Sequence, residues 1–97
     1  AEDLRIEGDR QKARTILEDL LRQLRHASTP IPLAADIETR AGHTACLGIA
    51  WSRRDAICLP WMCVERPEGY WTAEEETQLI FLCNAILTHP MASITWV

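Results

Sequence analysis

Two acids interrupt an otherwise apolar run, Leu33-Ala34-Ala35-Asp36-Ile37-Glu38-Thr39. An isolated charge is costly to bury, so an acid in such a run needs a cation or a hydrogen-bonding partner. Asp36 and Glu38 are two residues apart, which turns both to one face of a strand. Carboxylates converging on one spot repel each other unless positive charge lies between them. A divalent metal ion with hard oxygen ligands is the natural occupant. The plainer reading is a strand end whose acids are simply solvated.

The remaining chemistry-bearing residues are less specific. The four cysteines, Cys46, Cys58, Cys63 and Cys83, form no C-x-x-C pair. Cys46, Cys58 and Cys83 lie in apolar runs, where a thiol behaves as a small hydrophobe. That usage fits a reduced, intracellular, cytoplasmic protein. A zinc site from His43, Cys46, Cys58 and Cys63 departs from the usual ligand spacings. Arg53-Arg54 reads as a polar hairpin tip, although arginine suits phosphate. Trp51, Trp61, Tyr70, Trp71 and Trp96 have faces on which bases can stack. Trp51 and Trp96 lie in strands and read as core, whereas Trp61 and Tyr70-Trp71 lie on loops and suit either packing or a partner.

These residues need elements to position them. Residues 9–27 read as an amphipathic helix, with Ala13, Ile16, Leu17, Leu20, Leu21 and Leu24 on one stripe and Asp9 as N-cap. Ser28-Thr29-Pro30-Ile31-Pro32 ends it. Residues 33–38 read as the first strand, 39–43 as a turn with Gly42 free to take positive φ, and 44–52 as the second strand. Arg53-Arg54-Asp55 makes a tight loop into the third strand, 56–60. Residues 61–71 read as loop. Thr72-Ala73-Glu74-Glu75 spells a capping box, and Glu74-Glu75-Glu76 complements the dipole at the helix start. Leu79, Ile80, Cys83, Ile86 and Leu87 continue as an apolar stripe to Pro90, and residues 92–97 begin a fourth strand. Three short-linked strands are antiparallel, and the crossover helix returns the fourth parallel to the first. The expectation is an α/β fold with a mixed sheet and the first strand near its centre.

Ninety-seven residues allow one small domain, and 47% hydrophobic with 25% charged residues allows a modest core and excludes wholesale disorder. A formal net charge of −4 excludes a simple basic nucleic-acid binder. Metal ions can supply positive charge locally instead. No run is long or apolar enough to span a bilayer, and Ala1-Glu2-Asp3 does not open a signal peptide.

The runs Ala35-Asp36-Ile37-Glu38-Thr39, Cys46-Leu47-Gly48-Ile49-Ala50-Trp51 and Ala56-Ile57-Cys58-Leu59-Pro60, followed by a capped helix, resemble the start of the 3′–5′ exonuclease (proofreading) domain of family A DNA polymerases. These are DnaQ-like, DEDD-type nucleases with an RNase H-like fold. The resemblance covers roughly residues 30–97, with residues 1–29 as an N-terminal helix region. It implies that Asp36 ligates and bridges two divalent ions, Mg²⁺ or Mn²⁺. Glu38 would hold the ion that activates water, and Thr39 would lie beside the 3′-terminal nucleotide of single-stranded DNA. Ions about 3.5–4 Å apart both activate the water and neutralise the phosphate.

The family also uses an acid from an Asn-x-x-x-Phe/Tyr-Asp motif and a further Asp preceded by a Tyr or His, none of which falls within residues 1–97. His26, His43 and His89 do not substitute by position. The resemblance therefore implies the N-terminal part of a longer exonuclease or polymerase, incomplete at its C-terminus and inactive by itself. It would carry an open sheet edge that favours self-association. A non-catalytic RNase H-like interaction domain and an RNA-processing 3′ exonuclease remain as alternatives.

Overall fold

The computed structural model describes residues 9–61 and 69–97. Helix α1 spans Arg10–Arg25, strands β1, β2 and β3 span Ile31–Arg40, His43–Ala50 and Ala56–Pro60, helix α2 spans Ala73–Leu87, and strand β4 spans Ala92–Trp96. The sheet order is β3-β2-β1-β4, so β1 is an interior strand. β1 pairs antiparallel with β2 and parallel with β4, and β2 pairs antiparallel with β3. The mixed α/β sheet has the connectivity that the element order implies.

One helical layer packs on one face of the sheet. Ala13, Leu17, Leu20, Leu21 and Leu24 of α1 meet Leu79, Cys83 and Ile86 of α2 and the alternate strand residues Leu33, Leu47, Ile49, Ile57 and Leu59. Each large aliphatic side chain so buried contributes about 1.5–3 kcal/mol relative to exposure. The period of 3.6 on α1 and of 2 on the strands accounts for this selection. Asp9 caps α1 by accepting from the Lys12 backbone N–H. Thr72 and Glu75 form the reciprocal capping box at the start of α2.

Three expectations need correction. Residues 39–43 are not a long turn: β1 continues to Arg40, and only Ala41-Gly42 separates it from β2. Both turn residues have positive φ, 51° and 80°, as a type I′ hairpin requires. Trp96 is not core, being 55% exposed, because the helical layer stops short of that end of β4. Ile80 leaves the buried stripe of α2 and is 49% exposed. Trp51, by contrast, packs partly buried against the core.

Of the loop aromatics, Trp71 is buried and its indole N–H donates to the Pro60 carbonyl. Tyr70 meets Trp71 edge to face at 4.8 Å, and Trp61 also packs against the core. Residues 62–68, including Cys63 and Pro67, lie outside the described residues. Among the described residues no helix is long and apolar enough to cross a membrane.

Candidate functional site

The sheet face opposite the helices carries Asp36 and Glu38. Their neighbours Leu33 and Ala35 point into the core, so strand alternation sends the acids the other way. Asp36 pairs with Gly48, and Glu38 pairs with Cys46. In the next ladder Gly48 pairs with Cys58 and Cys46 with Pro60. The face is thus floored by small residues: Ala34, Gly48, Ala50 and Ala56, with the two thiols beside them. Ala34, Asp36, Gly48, Ala50 and Val97 line a shallow cavity of about 180 Å³ there.

The two acids differ in surroundings. Asp36 is half-buried and Glu38 is exposed. Among the described residues no charged side chain is fully buried, and neither acid takes part in an ion pair. Solvent therefore relieves part of their mutual repulsion, and the fold does not require a cation to form. The sequence placed the pair on one face correctly. It overestimated the burial, because among the described residues no helix covers that sheet face.

The register between β1 and β2 slips between Glu38 and Thr39, so that Glu38 faces Cys46 while Thr39 faces Thr44. Ala45 is the extra residue on β2. Such a bulge increases local twist and re-aims the side chains next to it. Thr39 lies beyond the slip and is exposed, within the strand rather than in a turn.

The thiols were not visible as a pair in the sequence, since eleven residues lie between them. Cys58 is buried and Cys46 is half-buried, and the two are diagonal to each other across the β2–β3 ladder. Burial first, then the contact with Cys46 and the negative field of Glu38 and Asp36, push the Cys58 thiol up to about 12. Desolvation alone pushes Cys83 to about 12 in the core.

Hard carboxylate oxygens on one face suit a hard divalent cation. Among the described residues no group of three or more His, Cys, Asp or Glu side chains is placed to hold a metal ion. The acids are thus a pair of carboxylates with no third such side chain grouped with them among the described residues. His43 is exposed at the hairpin, in register with Arg40 and away from Asp36. The exposed Arg53-Arg54 belongs to the β2–β3 loop, which is ordered by the Ser52 hydroxyl: it accepts from the backbone N–H groups of Arg54 and Asp55 and donates to the Asp55 carboxylate. No family model, no curated protein and no solved structure matches this chain.

Proposed function

We propose that this chain is the metal-binding half of a 3′–5′ exonuclease site, acting on single-stranded DNA ends within a DnaQ-like, RNase H-like domain. The observation that carries this reading is the placement of Asp36 and Glu38 together on the open face of an interior strand, beside a small-residue floor. The antiparallel β1–β2–β3 unit with β4 parallel to β1 agrees with that fold.

Asp36, half-buried at the cavity rim, would provide one carboxylate, and the exposed Glu38 the other. A bound Mg²⁺ or Mn²⁺ supplies charge neutralisation on the phosphate and a more acidic water. Thr39 extends the same strand toward the hairpin, where a terminal nucleotide is to lie. Two carboxylates are half of the family's acid set, so metal retention rather than turnover is the primary readout. The test is paramagnetic line broadening by Mn²⁺ in the ¹H–¹⁵N spectrum. Signals of Asp36, Glu38, Cys46 and Gly48 are expected to broaden first, and Asp36→Ala with Glu38→Ala to abolish the effect. Uniform broadening, or none, rejects the site.

A second reading is a non-catalytic interaction domain on the same scaffold. It is favoured by the exposed apolar residues Ile37, Ile80, Phe81 and Trp96 on the helical side. Such a domain shows no localised Mn²⁺ effect.

A further inference from the structure

We infer that Cys46 and Cys58 are a reversible redox pair that closes a disulfide across β2 and β3 on the face that carries the two acids.

The backbone sets this up. The Trp61 N–H donates to the Ala45 carbonyl, which makes Ala45 and Trp61 a hydrogen-bonded pair. Antiparallel pairs alternate, so Cys46/Pro60 and Gly48/Cys58 are non-hydrogen-bonded pairs, whose side chains approach more closely. Cys46 and Cys58 are diagonal neighbours across these two pairs. The right-handed twist of antiparallel strands draws this diagonal together. The influence of Cys46 on the Cys58 thiol agrees with that approach. Gly48 has no side chain to stand between them.

The bridge is expected to be labile. Diagonal Cα atoms sit about 7–8 Å apart in a regular sheet. A relaxed disulfide prefers Cα separations of about 4.4–6.8 Å. Closing therefore draws β2 and β3 together and stores strain, and strained bridges are the readily reduced ones. A disulfide oxidant such as oxidised glutathione supplies the electron sink. The Cys46 thiolate, the more accessible of the two, attacks one glutathione sulfur. The glutathione S–S bond breaks, and one glutathione leaves as thiolate and takes up a proton. Cys58 attacks the Cys46 sulfur and expels the second glutathione, whose departing thiolate takes up the Cys58 proton. Two protein thiols are oxidised, and one glutathione disulfide becomes two thiols.

The test uses the chain with Cys63→Ser and Cys83→Ser, which leaves this pair alone. After treatment with oxidised glutathione, the protein is denatured in excess N-ethylmaleimide and weighed. The expected product is a monomer lighter by two hydrogens with both alkylation sites lost, restored to two sites by dithiothreitol. Two alkylated thiols, a persistent glutathione adduct on Cys46, or bridges only between chains would overturn the inference. Peptide mapping of the unsubstituted chain covers the case in which the serine variants misfold. A Cys46–Cys58 cross-linked peptide supports the pair, and a bridge to Cys63 in its place refutes it. The result is independent of metal binding.

Discussion

Asp36 lies directly opposite Gly48 in the β1–β2 ladder. No β2 side chain therefore stands directly opposite the carboxylate, and both residues line the cavity of about 180 Å³. Glu38, one step along the same face, is opposite Cys46 instead and sits further out in solvent. One acid is thus half-buried and its neighbour exposed.

The first prediction separates stability from metal binding at this pair. Without a cation, Asp36→Asn removes a like-charge repulsion and leaves thermal stability unchanged or slightly raised. With Mn²⁺ at one hundred times its dissociation constant, the unsubstituted chain gains about 2.7 kcal/mol by linkage. Asp36→Asn gains nothing. Melting curves with and without Mn²⁺ check both statements, and equal gains for the two proteins reject the assignment.

The β1–β2 turn provides the second. Ala41 has φ 51°, the left-handed region that an L side chain with a Cβ disfavours by about 1–2 kcal/mol. Asparagine followed by glycine is the preferred type I′ pair. Ala41→Asn is therefore expected to stabilise the fold by about 1 kcal/mol, since Asn tolerates this region far better. Urea unfolding should show a higher midpoint at an unchanged slope.

Such details show what the sequence could carry. Periodicity placed α1, the three antiparallel strands and α2, because each pattern is local. The Thr72–Glu75 box was legible for the same reason. Trp96 and Ile80 were misread because strand and helix patterns mark an apolar face without saying whether another layer reaches it. The shared face of Asp36 and Glu38 followed from their spacing, but their exposure depends on which sheet face the helices choose. The Cys46–Cys58 contact was illegible, since it exists only once the β2–β3 register is known.

A buried hydrogen bond can be tested at Trp71. Its indole N–H donates to the Pro60 carbonyl at the end of β3. Trp71→Phe keeps an aromatic ring but removes the donor from a buried acceptor, at a cost of about 1–3 kcal/mol. Trp71→Ala adds a cavity and should cost about 3–5 kcal/mol. Denaturant melts distinguish the two, and a neutral Trp71→Phe would mean that the carbonyl is satisfied otherwise.

Acid stability should depend on Glu75. Its carboxyl is held below its usual 4.5, first by the Thr72 backbone N–H, with the Thr72 hydroxyl and Arg10 adding to the shift. The Arg10 guanidinium lies 3.2 Å away. A depressed folded-state pKa means the contribution is fully present above the unfolded value and is lost as pH falls through the folded one. Glu75→Gln can still accept from Thr72 but cannot titrate. Its stability should therefore vary less than that of the unsubstituted chain on acidification below about pH 5. Thr72→Ala removes the other half of the box and should cost about 1 kcal/mol near neutral pH. Parallel slopes for Glu75→Gln and the unsubstituted chain would refute the assignment.

The helical side leads to the last prediction. Ile37, Ile80 and Trp96 line an open cavity of about 350 Å³ with Leu47, Cys83 and Leu87. Phe81 is 71% exposed, also on α2. β4 is an edge strand beside this groove, so an apolar surface and unpaired backbone groups adjoin. Contiguous exposed apolar surface of this kind drives association. Sedimentation velocity over a concentration series should show self-association that weakens in Ile80→Lys and Trp96→Ser. Both residues are largely exposed, so neither change empties the core. A monomer at every concentration would mean that this surface does not bind a second copy.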